Sequence, residues 1–410
     1  MIGNLSEHIK RSFDRLSSDD YSINNVWKNK AYDWPGDWEG RALLAFVCLY
    51  EITGKKISCM GEMIKEFPAR VNGGGYLGDS ANWVANEQQL SGHSWLLRGF
   101  CEYYRVFNDD RVLSYARDIV KNLYLPLKDL YNKYPADRAE ENLGGVGGSI
   151  SREENGWKLS TDIGCAYMCI DGLSDYYSIT GEAETREMLD SLINGFMRLD
   201  RLKMKCQTHA TLSAVRGIIR LYKSTGEKKY LDYAVSVFGL YLKYGMTLTY
   251  ENFNWFGRED SWTEPCAVTD SFIVAATLFD ITGDEKYKTL LSRIWFNGLN
   301  FCHRANGGAG PNTCVTAEQP YLNISMYEAT FCCTMRYAEG LKFAKKYEDY
   351  ITTSIDITED GQGRVFIGNE LLVADECGSF PSAEKYYYKG KEYIKIPCFV
   401  QKGEYKLKVC

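Results

Sequence analysis

Two short runs hold the residue types with the most chemical potential in this chain: Glu264-Pro265-Cys266 and Cys332-Cys333. Three thiolates and one carboxylate form a donor set that suits tetrahedral Zn2+, with bonds of about 2.3 Å to sulfur and about 2.0–2.2 Å to oxygen. Among fourteen cysteines an adjacent pair arises by chance often enough to say little alone, and a buried free thiol packing as a small hydrophobe is the ordinary use of cysteine. Glu264-Pro265-Cys266 adds geometry. Proline favours the first position of a helix and pushes the residue before it toward extended backbone. Glu264 then becomes the helix cap, where side chains at i and i+2 can converge; inside a helix they would point apart. The spacing matches no zinc-finger ribbon, so the fold itself must assemble Glu264, Cys266, Cys332 and Cys333.

Other functional side chains stand at Trp38-Glu39, Gly92-His93, Thr161-Asp162 and Thr208-His209, each about 15 to 19 residues ahead of a recurring helix ending. At about 1.5 Å rise per residue, equal offsets place all of them on one rim of the molecule. Two of the four histidines, His93 and His209, lie at these helix starts. Taken singly, each could be a hydrogen-bonded core histidine, and Asp162 and Thr208 could be plain N-caps; the shared rim makes the set a candidate substrate site.

The elements that would position these residues are helical hairpins. The ending recurs as Tyr50-Glu51-Ile52-Thr53-Gly54, Val106-Phe107-Asn108-Asp109, Ser178-Ile179-Thr180-Gly181, Lys223-Ser224-Thr225-Gly226 and Asp280-Ile281-Thr282-Gly283. Each closes an apolar stretch of helical period with residues that accept a left-handed cap. Second amphipathic stretches follow, such as Lys229 to Ala234 and Lys286 to Leu291, and a sixth helix reads from about Thr330 to Lys346. Six such hairpins bury a continuous core only by stacking on one another. A closed (α/α)6 toroid is expected over residues 1–348, with an open solenoid as the alternative. From 349 to 410 the pattern changes to a short β segment, with strands expected at Ile351–Ile357, Arg364–Val373, Tyr386–Val400 and Tyr405–Val409.

Composition excludes several classes. The net charge is −6, with no basic block, which argues against nucleic acid and against an anionic membrane surface. Met1 to Asp20 has no apolar h-region and no run of 18 apolar residues occurs, so neither a signal peptide nor a bilayer span is expected. Scattered cysteines without such a leader suggest reduced thiols and a cytoplasmic setting. The Gly-rich stretches Leu143–Ser149 and Asn306–Asn312 lack the Lys-Ser/Thr of a phosphate loop and are expected to be mobile rim loops over a cleft.

These residues together resemble the β-L-arabinofuranosidase family, glycoside hydrolase family 127. That family pairs a Glu-x-Cys motif, followed by a helix ending in Thr-Gly-Asp, with a later Cys-Cys pair. The matches are Glu264-Pro265-Cys266, Thr282-Gly283-Asp284 and Cys332-Cys333, with Trp38-Glu39, Gly73 to Gly78 and Gly92-His93 resembling the N-terminal half. Pro265 stands where Thr is usual, and Thr334-Met335-Arg336 where Pro-Pro-Asn is common. The resemblance implies an (α/α)6 barrel that binds zinc through those four side chains, with Cys332 as nucleophile. Through Tyr250-Glu251-Asn252-Phe253 it implies Glu251 as acid/base, with Glu259 as the other choice. His93 and His209 match sugar-contacting histidines.

The first functional reading is therefore a retaining glycosidase that takes a small oligosaccharide or glycoside and releases a terminal sugar. The alternative is a non-catalytic, zinc-stabilised toroid that binds glycan or a protein partner. A third is a toroid enzyme using carboxylates alone, with Asp162 central and the thiols incidental.

Overall fold

A computed structural model describes residues 5–28, 34–138, 148–316 and 322–351, and the backbone of short strands between 357 and 409. Six inner helices run Asp37–Thr53, Glu87–Phe107, Cys169–Thr180, Thr208–Thr225, Pro265–Thr282 and Cys333–Lys346. Each packs against the next, and the sixth returns to the first. That last contact closes the ring, so the fold is an (α/α)6 barrel and not an open solenoid.

Outer helices Cys59–Glu66, Asp110–Ile119, Ala183–Met197, Lys228–Tyr244 and Glu285–Ile294 pack on the inner helices that precede them. The sixth inner helix takes its partner from the start of the chain, where Leu5–Leu16 packs against Cys333–Lys346. Leu5, His8, Ser12 and Leu16 are its buried residues, one stripe at helical spacing. The sequence reading gave this stretch no place in the ring.

An inner helix is walled on every side, so its sequence is apolar all round rather than striped. Pro265–Thr282 buries every residue from Pro265 to Ala276. It is the one described helix long and apolar enough to cross a membrane; its place within the barrel accounts for that composition. Close packing is achieved through glycine. A Cβ on Gly40 would lie 2.2 Å from Leu96 N, and one on Gly217 2.5 Å from Ile170 C. The helix ends are as expected at Gly283, which adopts φ 65°. At the second inner helix the left-handed residue is Asn108, φ 52°, while Asp109 instead caps the next helix through Arg111 N.

Three features differ from the sequence reading. Ile150–Glu154 and Trp157–Ser160 form an antiparallel hairpin, joined by Ala85–Asn86 as a third, parallel strand. Its turn, Asn155-Gly156, has φ of 51° and 83°, the pattern that matches the twist of paired strands. The stretch Asn306–Asn312 is packed rather than loose: residues 307–312 are buried, and a Cβ on Gly310 would meet Met326 O at 2.3 Å. Ile351, expected in a strand, ends a short helix from Glu348.

Toward the C-terminus Glu370–Leu371, Val365–Ile367, Ile357–Glu359 and Lys408–Val409 lie in that order in one sheet, and Glu384–Tyr388 pairs with Lys391–Lys395. The rest of the expected strands, and most of Leu143–Ser149, fall outside the described residues.

The glycine contacts give a paired test. Gly217→Ala should lower stability by about 1–3 kcal/mol, because backbone must move to admit the methyl group. Gly239→Ala, at an exposed helical position with open space around it, should raise stability by about 0.5–1 kcal/mol. Urea denaturation of both variants reads the two signs.

Candidate active site and metal centre

The fifth and sixth inner helices pack side by side, and both begin at the same place. Glu264 caps the fifth with extended backbone, φ −124° and ψ 114°, and Pro265 opens the helix. Cys332 caps the sixth, with Cys333 as its first helical residue. The ligand atoms of Glu264, Cys266, Cys332 and Cys333 all lie within 4.8 Å of one another. Cys266 Sγ is 3.7 Å from Cys333 Sγ, and Cys332 Sγ is 3.4 Å from Cys333 Sγ. Cys266 and Cys333 are buried, whereas Cys332 is half-buried.

Several observations fit these residues to a metal ion. Glu264 Oε2 is buried with no hydrogen-bond partner, which is costly for a carboxylate oxygen unless something positive meets it. Burial pushes all three thiols well above their usual range, so as free groups they are neutral; a bound cation would reverse this. Both helix N-termini also favour negative charge. The cluster can therefore bind a metal ion.

Glu264 is buttressed from behind. Its N–H donates to Asn252 Oδ1 (2.7 Å). Thr263 N–H donates to Asn312 O (2.8 Å), and Asn312 N–H returns to Thr263 Oγ1 (2.9 Å). The packed 306–312 segment is thus a support for the site and not a cover.

Three of the four side chains edge a cleft of about 590 Å³, counted with its open mouth. Glu264, Cys332 and Cys333 line it, with Asp37, Arg41, Asp162, Gln207, His209 and Asn254 as polar neighbours. Trp34, Trp262 and Phe331 supply aromatic surface, suited to the apolar face of a sugar ring. His209 Nδ1 donates to Asp270 Oδ2 (2.7 Å), and its Nε2 accepts from Arg41 Nη2 (3.3 Å). Asp162 reaches the cleft from the hairpin that ends at Ser160. Burial, and then the nearby Glu264, push its carboxyl up to about 8.

Other residues expected here lie elsewhere. His93 is fully buried and absent from the cleft lining. Its Nδ1 donates to Gln89 O (2.8 Å) and its Nε2 accepts from Leu77 N (3.0 Å), so both nitrogens are satisfied by backbone. Burial lowers it to about 4, and its ring ties Leu77 to the second inner helix. Glu251 is also fully buried and outside the cleft lining. Its Oε1 accepts from Asn312 Nδ2 (3.0 Å) and its Oε2 from Thr249 Oγ1 (3.3 Å). Burial pushes it up to about 8, so it stands protonated one layer behind Thr263 and Glu264. Glu259 is exposed. Trp38 is buried against Tyr21, their rings stacked at 6.0 Å, and the cleft is instead reached by Asp37 and Arg41.

Sequence reasoning missed Asp37 and Arg41, although they flank Trp38-Glu39. One turn of helix separates them, and Arg41 Nε donates to Asp37 Oδ2 (2.8 Å), an i, i+4 pair that could have been read directly. Trp262 and Phe331 likewise adjoin the metal motifs. No sequence signal announced Gln207 or Asn254.

A model of the β-L-arabinofuranosidase GH127 catalytic domain matches residues 78–323. No curated protein matches the chain in sequence. Among solved structures, a glycoside hydrolase aligns with TM-score 0.54 at 16% identity, covering 84% of this chain and 58% of its own. A GH127 β-arabinofuranosidase aligns at 0.55 and 13%, covering 94% of this chain and 62% of its own. A cellobiose 2-epimerase from Bacillus thermoamylovorans B4167 aligns at 0.51 and 15%, covering 83% of this chain and all of its own. At such identities these likenesses show the fold alone, and this chain spans only 58% and 62% of the first two structures. The family rests on the sequence match, which covers more than half of the chain: this protein belongs to the GH127 β-L-arabinofuranosidase catalytic-domain family.

Proposed function

We propose that this domain is a retaining glycoside hydrolase that releases a terminal sugar of the β-L-arabinofuranoside kind, with Cys332 as nucleophile in a zinc site. The observation behind this reading is the difference among the three thiols: Cys266 and Cys333 are buried, while Cys332 is half-open and lines the cleft. Four donors complete a tetrahedron, the usual mark of a structural zinc site, and that favours the non-catalytic reading. A purely structural site gives no reason for its donors to edge a cleft with aromatic walls and carboxylates, with one thiol left half-open.

Glu264, Cys266, Cys332 and Cys333 would hold Zn2+, which when bound keeps thiols ionised at neutral pH. In the first step Cys332 Sγ forms a bond to the anomeric carbon as the bond to the leaving oxygen breaks. The departing oxygen keeps the electron pair and takes a proton from a carboxyl group. In the second step a water gives its proton to that same carboxylate and attacks the anomeric carbon. The carbon–sulfur bond breaks, and two displacements give net retention.

The proton donor in this proposal is Asp162, which lines the cleft and whose carboxyl is pushed up by burial. Glu251, the residue matched by family resemblance, would need the Thr263–Asn312 support to open before it touched substrate. The aromatic surface would seat one sugar ring, and His209 would contact its hydroxyls. Reduced thiols are required, and all eleven described cysteines are free; a cytoplasmic setting suits that chemistry.

Protein prepared without added metal should contain about one zinc per chain by elemental analysis. Cys266→Ser and Cys333→Ser should each lose it; undiminished zinc in both would remove the site.

Asp162→Asn should slow hydrolysis of an alkyl arabinofuranoside by about 10²–10⁴-fold. It should retain more of the first step on a nitrophenyl glycoside, whose leaving group needs no proton, and azide should restore turnover. Glu251→Gln, which mimics the protonated form, should stay within about tenfold of wild type on both. The opposite pattern would return the role to Glu251.

A further inference from the structure

Arg41 is the only arginine or lysine among the described residues lining the cleft, and its direction is fixed from several sides. Nε donates to Asp37 Oδ2 (2.8 Å), and Nη2 to His209 Nε2 (3.3 Å). The guanidinium lies 4.2 Å from the Trp95 ring centroid, and Trp95 in turn stacks on His209 at 5.7 Å and 14°. Asp270, which holds His209, is itself held by Arg216 (2.7 Å) and Arg336 (2.6 Å). So fixed, Arg41 directs Nη1 at Cys266 Sγ, 3.6 Å away.

That contact treats the three sulfurs unequally. Arg41 donates to Cys266, which is fully buried. Among the described residues Cys332 Sγ has its contact with Cys333 Sγ (3.4 Å) and no nitrogen donor, and it faces the cleft. A charged N–H bonded to a thiolate draws electron density from the sulfur and makes it a weaker nucleophile. It also offsets the negative charge that three thiolates and a carboxylate would leave on the centre after a dication is bound. Lysine could supply the charge but not a planar fork that engages Asp37, Cys266 and His209 at once.

We propose that Arg41 is a positioning residue of the thiolate centre: its bond to Cys266 fixes that sulfur as a holding ligand and leaves the reaction to the pair on the sixth helix, of which Cys332 is the half-open member. This rests on the metal reading above. Arg41 would act on the ion through Cys266.

Cobalt(II) bound to the purified domain in place of zinc separates the possibilities, because its sulfur-to-metal charge-transfer absorption reports electron density on the sulfurs. Arg41→Met should still bind cobalt, with affinity lowered about 10–100-fold in chelator competition. Its charge-transfer band should move to longer wavelength as Cys266 becomes a stronger donor. Arg41→Lys should fall between the two, and it decides the matter by the same band if Arg41→Met does not fold. A wild-type-like band and affinity in the variants would overturn the role of Arg41 while leaving the metal reading intact. Wild-type protein that binds no cobalt or zinc would overturn both.

Discussion

The candidate site depends on two helix N-termini, at Pro265 and Cys333, meeting side by side. Neither run of residues makes a site alone. Glu264 and Cys266 converge because a proline start keeps Glu264 extended. Cys332 and Cys333 can join them only when the sixth inner helix takes its place between the fifth and the first. Ring closure and assembly of the four-residue cluster are thus one event, and the glycine contacts that draw the inner helices together serve both.

A buried ionic network beneath the cleft fixes how the inner helices face one another. Glu339 of the sixth helix meets Arg98 of the second (2.8 Å) and Arg216 of the fourth (2.5 Å). Asp270 of the fifth meets Arg216 and Arg336, and Arg98 also pairs with Asp171 (3.3 Å) and Asp175 of the third. Burial alone would raise the Asp270 carboxyl, yet Arg336, His209 and Arg216 hold it far below the usual range. Such networks seldom add net stability over apolar packing, because desolvating the charges costs several kcal/mol per ion. Their value here is direction: the chain of contacts ends at His209 and Arg41, which face the cleft.

The same logic marks what sequence could and could not disclose. Glu264, Cys266, Cys332 and Cys333 were legible because proline geometry and ligand chemistry are local properties. The ring was legible because helix endings repeat. Residues at equal offsets share a rim but not a facing: the His93 ring turns to Leu77 and Gln89, a direction that spacing does not encode. For Glu251 an apolar neighbourhood in sequence marks burial as readily as a reactive acid, and the structure shows the burial. Leu5–Leu16 went unassigned because its partner lies at the far end of the barrel sequence, beyond the reach of local periodicity. A barrel shared with an epimerase does not name a reaction; only the side chains in the cleft do.

The central claim is that Cys332, and not a carboxylate, forms the bond to the sugar. A mechanism-based arabinofuranosyl inactivator, followed by peptide mass spectrometry of the zinc-loaded domain, tests it most directly. The expected result is one sugar-sized mass increment on the peptide containing Cys332, lost in Cys332→Ala. Label on Asp162 or Glu251, with Cys332 unmodified, would contradict the account.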